Sequence, residues 1–187
     1  MSYFREFPMS EIYYCYYQSP IGRLLMISQD NKLTNLDLEA EQIAPNPKWI
    51  LQENHPLFAQ VSAALTRYFN GEKEDFAEIP LNPQGTPFQQ SIWQQLCQIA
   101  YGKTTSYGEL ANCINKPKAV RAVGGAVGSN PISIIIPCHR VLGKTRQLTG
   151  FGGGLPAKRH LLQLENIAYV DKGVEYVKQK LLKKYQR

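Results

Sequence analysis

The period of the hydrophobic pattern changes several times along this chain. Residues 11–18 (EIYYCYYQ), 23–29 (RLLMISQ) and 33–38 (LTNLDL) are rich in aromatic and branched apolar types. Ser19-Pro20-Ile21-Gly22 and Gln29-Asp30-Asn31-Lys32 separate them and read as turns, so the chain opens as an antiparallel meander. Residues 40–54 are polar, carry Pro45 and Pro47, and read as a loop. Residues 56–70 place Leu57, Phe58, Val61, Leu65, Tyr68 and Phe69 at helical spacing, and Asn70-Gly71 ends that helix. Thr86-Pro87 predicts an N-cap with proline in the first turn. Phe88, Ile92, Trp93, Leu96 and Ile99 then form one face of a helix that Gly102 stops. Ser106 with Glu109 forms a capping box for a short helix to Ile114. A second short helix spans Pro117 to Gly128 after the break at Asn115-Lys116-Pro117, a helix-turn-helix pattern. Residues 132–136 (ISIII) read as a buried strand ended by Pro137. Residues 143–154 read as a loop, Pro156–Glu165 as a helix, and the segment from Val174 to Lys184 as a basic amphipathic helix.

These elements predict an α/β (α+β) chain. A small N-terminal domain of antiparallel sheet plus helix covers residues 1–84. A mostly helical C-terminal domain with a helix-turn-helix covers 85–170, and a basic tail covers 171–187. The boundary falls in Pro80–Pro87 (PLNPQGTP). Charge follows the same division. The net charge is +6, but residues 1–84 carry −5, residues 85–170 carry +7 and the tail carries +4. A basic half suits a polyanionic partner, because Lys and Arg displace counterions from phosphates. A solvated surface is the alternative.

Composition narrows the class further. Hydrophobic residues make up 43% and charged residues 19% of the chain, which is ordinary globular composition. No apolar run is long enough to span a membrane. The first ten residues lack the apolar segment of a secretory signal. The four cysteines have no paired spacing, so a disulfide scaffold is not expected. Cys15, Cys97 and Cys113 read as buried. His55 and His160 stand alone, without the spacing of a zinc site. The expectation is a protein of a reducing compartment, without metal or membrane, located in the cytoplasm (or nucleus if eukaryotic).

The strongest local chemistry is Pro137-Cys138-His139-Arg140. A thiol becomes nucleophilic once deprotonated, and an imidazole or a cation nearby favours that. A buried structural cysteine is the alternative. Gly124 and Gly125, beside Ala119, Ala122 and Ala126, each cost roughly 1 kcal/mol inside a helix. That cost suggests a close approach to the backbone, by another helix or by a nucleic-acid groove.

Ile136-Pro137-Cys138-His139-Arg140-Val141 resembles the acceptor motif of O6-alkylguanine-DNA alkyltransferases. So do Thr105-Ser106-Tyr107-Gly108-Glu109-Leu110-Ala111 and Lys118-Ala119-Val120-Arg121-Ala122-Val123-Gly124-Gly125-Ala126. Asn130-Pro131, the loop Gly150–Leu155 and the helix ending at Glu165 complete the resemblance, over about residues 86–167. It implies that Cys138 takes the alkyl group from O6-methylguanine in duplex DNA, with O4-methylthymine a further substrate. The transfer would be stoichiometric and irreversible, without a cofactor. It implies a base relay from the thiol through a water to His139 and Glu165, with Asn130 bracing the turn beside the cysteine. Arg121 would fill the place of a flipped base, and Tyr107 would crowd its phosphate and hydrogen-bond the guanine. Ala119, Gly124 and Gly125 would lie against the minor groove. Val141, Phe151, Gly152 and Gly153 would line the base pocket. Phe151 stands where the family often has tyrosine, so a hydroxyl contact is lost there. The protein is expected to be a monomer without DNA. A lesion-sensing DNA binder and a multiple-turnover cysteine hydrolase are the competing readings.

Overall fold

The computed structural model describes residues 10–38 and 45–171. Three strands form where the apolar runs place them: β1 (Ile12–Ser19), β2 (Gly22–Gln29) and β3 (Lys32–Leu38), paired antiparallel in sequence. Asp30 and Asn31 both hold positive φ in the tight turn between β2 and β3, a conformation those residue types tolerate. A short fourth strand, β4 (Ile50–Leu51), pairs parallel to β1 and completes the sheet order β3-β2-β1-β4. This corrects the loop expected over 40–54, of which 40–44 lie outside the described residues. Two residues are too short a run to show a period.

Helix α1 (Pro56–Phe69) lies against the sheet and buries Leu57, Phe58, Val61, Ala64, Leu65 and Tyr68. Each large apolar side chain so buried stabilises the fold by roughly 1.5–3 kcal/mol. His55 caps the helix: its Nδ1 accepts from the Leu57 amide at 3.2 Å. Helix α2 (Pro87–Leu96) begins at the Thr86 cap, with Gln89 closing the box. It ends before Gly102, contrary to expectation. The turn of 97–102 instead brings Gly102, at φ +75°, to a contact used below. Gly85 lies so close to Trp93 that a Cβ there would stand 2.4 Å from the ring. Trp93 in turn donates to the Ala126 carbonyl at 2.9 Å and ties α2 to the following helices.

Strand β5 (Thr105–Ser106) leads into α3 (Tyr107–Cys113), capped by Ser106 and Glu109 as the sequence indicates. After a break with Asn115 at φ +55°, α4 runs Val120–Gly128 and packs on α2 and α3. It starts three residues later than expected because 116–119 form a turn. Residues 132–136 are not a strand. They fold as successive turns, with Ile134 at φ +71° and one bridge from Ile132 to Leu36 of β3. The run is buried on every side, and burial alone does not distinguish a strand from a packed turn. A 3₁₀ turn, Cys138–Arg140, then enters β6 (Val141–Leu142), which pairs parallel to β5. Helix α5 spans Leu155–Leu164 with Glu165 as its C-cap. The basic helix expected over 174–184 falls outside the described residues.

One hydrophobic core unites the two halves, from Leu24, Leu36 and Leu65 to Trp93, Ile136 and Leu161. Cys15 and Cys138 are buried, whereas Cys97 and Cys113 are exposed. The latter two reverse the expectation, since each follows or ends a helix rather than facing the core.

Candidate active site

The site is built where the 131–137 turns meet the start of β6 and the end of α5. Asn130 organises it. Its Oδ1 accepts from the Ile132 amide at 3.0 Å, and its Nδ2 donates to the Ile136 carbonyl at 2.8 Å. The same Nδ2 lies 3.1 Å from Cys138 Sγ and donates to it. One amide side chain therefore closes the turn and points a donor at the sulfur.

Two opposing effects act on the thiol. Burial pushes the Cys138 pKa up, and the Asn130 hydrogen bond and the charge of Lys158 pull against it, without full compensation. The thiol is thus kept protonated in this buried site. Lys158, on α5, is 0% exposed; its Nζ donates to the Val141 carbonyl at 2.7 Å and to Thr149 Oγ1 at 3.3 Å. Burial lowers its pKa to about 8, while Cys138 opposes that fall.

His139 and Glu165 meet in the core: His139 Nε2 lies 2.7 Å from Glu165 Oε1. Arg140 grips the same carboxylate through Nε to Oε2 at 2.8 Å and Nη2 to Oε1 at 3.0 Å. The Gly102 amide adds a bond to Oε2 at 3.0 Å. Burial raises the Glu165 pKa, but the hydrogen bonds and charges of His139 and Arg140 together outweigh it and hold the carboxyl at about 2. Burial also lowers the pKa of His139, against the pull of Glu165, so the imidazole is neutral. With Nε2–H directed at Glu165, Nδ1 carries the lone pair, and it has no hydrogen-bond partner among the described residues. A neutral imidazole oriented by a carboxylate, with its second nitrogen free, is built to accept a proton.

Tyr107, at the start of α3, hydrogen-bonds through its hydroxyl to Thr149 Oγ1 at 2.9 Å. Burial raises its pKa, so it remains a phenol. The Gly124 position faces the Tyr107 ring, whereas Gly125 has open space around it. Arg121 is exposed on the same helix, and Ala119 precedes it, half-buried. Val141 is fully buried and Phe151 packs against the core. Gly152 is open to solvent. Gly153 is tight: a Cβ there would meet Phe151 at 3.0 Å and Leu38 at 3.1 Å. The structure therefore gathers Cys138, Asn130, His139 and Glu165 at one buried centre and leaves Arg121, Gly125 and Gly152 on the surface.

Sequence reasoning missed Arg140, Lys158, Thr149 and Tyr68 as parts of this centre. For Lys158 a signal existed: it lies on the stripe Leu155, Ala157, Leu161, Leu162 that α5 buries. Among the described residues, no group of three or more His, Cys, Asp or Glu side chains could hold a metal ion, and no helix is long and apolar enough to cross a membrane.

A buried thiol beside an imidazole–carboxylate pair is an arrangement suited to cysteine-based chemistry. Comparison with known proteins names the class. Residues 87–167 match the family model for the DNA binding domain of 6-O-methylguanine DNA methyltransferase, and residues 12–83 match its ribonuclease-like domain. The chain is 64% identical to a methylated-DNA–protein-cysteine methyltransferase of Haemophilus influenzae, over 95% of this chain and 99% of that protein. A crystal structure of the Mycobacterium tuberculosis O6-methylguanine methyltransferase superposes with TM-score 0.76 at 43% identity, covering 86% of this chain and 96% of that one. A Mycobacterium tuberculosis OGT in complex with DNA superposes with TM-score 0.75 at 44% identity, covering 82% and 92%. The chain belongs to the 6-O-methylguanine DNA methyltransferase family. It is a transferase, and its activity is DNA repair by alkyl transfer.

Proposed function

We propose that Cys138 is the acceptor, taking the alkyl group from O6 of guanine in duplex DNA, one group per chain. The observation that carries this reading is the Cys138 sulfur held at 3.1 Å from Asn130 Nδ2 beside the buried His139–Glu165 pair. His139 Nδ1 takes the thiol proton, through a water as in the relay the family resemblance implies. The sulfur lone pair forms the S–C bond as the C–O6 bond breaks, and the bonding electrons leave with the guanine. The guanine gains a proton, balancing the one the thiol lost. The thioether has no easy leaving group, so the chain is spent.

A base inside a duplex cannot reach a buried sulfur. We infer that it is flipped out, at a cost of a few kcal/mol. α3 and α4 act as the helix-turn-helix, and α4 enters the minor groove, whose base edges carry little sequence information. The exposed Ala122, Gly125 and Gly128 give α4 a smooth approach, and Arg121, exposed on the same helix, fills the vacated stack. Tyr107, Val141, Phe151, Gly152 and Gly153 border the base. The open space at Gly152 supports acceptance of alkylated thymine as well. The protein works as a monomer in the cytoplasm (or nucleus), and the division at residues 84/85 separates the sheet domain from the acceptor domain.

Intact-mass and peptide mass spectrometry after mixing with duplex DNA carrying O6-methylguanine tests the reading. One methyl group on the Cys138 peptide is expected. DNA binding without a mass change would leave a lesion sensor instead.

A further inference from the structure

Glu165 receives more donors than a bridge to His139 requires. Arg140 and the Gly102 amide already engage both oxygens. A further donor arrives from the amino-terminal half: the Tyr68 hydroxyl, on α1, donates to Glu165 Oε1 at 2.7 Å and lies 3.5 Å from His139 Nε2. Tyr68 is fully buried. Its ring packs against Phe69, Phe76 and Tyr101, work that a phenylalanine could do. A hydroxyl in a core is costly unless paired. Here it is spent on the oxygen that faces the imidazole.

We propose that the Tyr68 hydroxyl, supplied by the amino-terminal helix, is a positioning residue of the proton relay. It fixes Glu165 Oε1 so that His139 keeps its proton on Nε2 and offers Nδ1 to the thiol. This rests on the reading of His139 and Glu165 as the relay given above. Three donors converge on that oxygen, His139 Nε2, Arg140 Nη2 and the Tyr68 hydroxyl, and the hydroxyl, fixed by its buried ring, confines the direction left for the bond to Nε2. The extra donor also stabilises the anion, so the carboxylate does not take the proton from an imidazolium. Without the hydroxyl the carboxylate is more basic, and the pair becomes protonated at a higher pH. The amino-terminal half thus contributes an atom to the chemistry, in addition to a packing surface.

The test compares the wild type with Tyr68→Phe in two reactions across pH: methyl transfer from duplex O6-methylguanine, and alkylation of Cys138 by iodoacetamide without DNA, followed on the Cys138 peptide. In both, Tyr68→Phe is expected to match the wild type at high pH. Its acid-side half-point should move up by about one unit, so that the rate falls by up to about tenfold below both half-points. Fluorotyrosine at position 68, a stronger donor of the same shape, should move the half-point down. An unmoved half-point in both variants overturns the proposal. So does a uniform loss at all pH values that tracks a lowered melting temperature, which marks packing alone. If the wild type transfers no methyl group, the acceptor reading fails, while the iodoacetamide profile still decides the role of Tyr68.

Discussion

Lys158 Nζ lies 2.7 Å from the carbonyl oxygen of Val141, so a fully buried ammonium is held by a neutral acceptor at the entrance of β6. Its charge is thereby available to the Cys138 thiolate. The arrangement costs stability. A lysine whose pKa falls from 10.5 to about 8 on folding resists protonation in the folded state. The cost, about 3 kcal/mol, is full below pH 8 and fades as pH rises toward 10.5.

Lys158→Met removes that titration. Urea unfolding from pH 7 to 10.5 should show the wild type gaining about 3 kcal/mol relative to the mutant as pH rises. Methyl transfer by the mutant should be slower by roughly tenfold, since the thiolate loses the positive charge that favours it. Equal stability profiles would mean that the ammonium does not titrate in this range.

Glu165 has the opposite sign. Its carboxyl, held at about 2, contributes stability that is complete above its ordinary pKa of 4.5 and is lost as pH falls toward 2. Glu165→Gln should destabilise the protein by about 3–5 kcal/mol at pH 7, because it leaves Arg140 buried without its counter-charge. The gap to the wild type should close as pH falls from 4.5 to 2. Chemical denaturation at several pH values measures both effects.

Asn130→Leu keeps the volume but removes the two bonds that close the 131–137 turn. The buried Ile132 amide loses its partner, at about 1–3 kcal/mol, while the Ile136 carbonyl loses one bond and keeps that from the Cys138 amide. Transfer should fall further than stability alone explains, because the sulfur also loses its donor. Comparing the rates of folded mutant and wild type at low temperature separates the two losses.

Arg121→Ala should slow repair of duplex DNA at least tenfold and leave reaction with the free alkylated base almost unchanged. Unpaired stacking costs a few kcal/mol, and only the duplex carries that cost. Single-turnover rates on both substrates check it. Equal losses would remove Arg121 from base flipping.

Much of this architecture is legible in the residues, and the exceptions have physical reasons. The spacing of Leu57, Val61, Leu65 and Tyr68 specifies α1. The boxes Thr86–Gln89 and Ser106–Glu109 specify the starts of α2 and α3, because capping is local chemistry. The turns of 132–136 escape a reading by period, since they are held by the Asn130 side chain and by Leu36 of a distant strand. Cys138, His139 and Glu165 were recognisable through family resemblance. Tyr68 carried the signature of a core aromatic, and nothing local distinguishes a buried ring from a buried ring with a paired hydroxyl. Lys158 and Arg140 were passed over because charged side chains are ordinarily solvated. Its place on the apolar stripe of α5 marks Lys158, whereas the burial of Arg140 becomes visible only when α5 is folded against the acceptor turn.

In the base pocket proposed above, the close approach of Gly153 to Leu38 makes the width of the pocket a shared property of both halves. Gly153 sits between the Phe151 ring and Leu38, the last residue of the meander, so the loop can yield to a bulky adduct only as far as β3 lets it. On that proposed reading, substrate range is tuned from outside the acceptor half. A smaller residue at position 38 would loosen the pocket without altering any group that touches DNA, and a chimera with this acceptor half on another amino-terminal sheet would repair a different set of lesions.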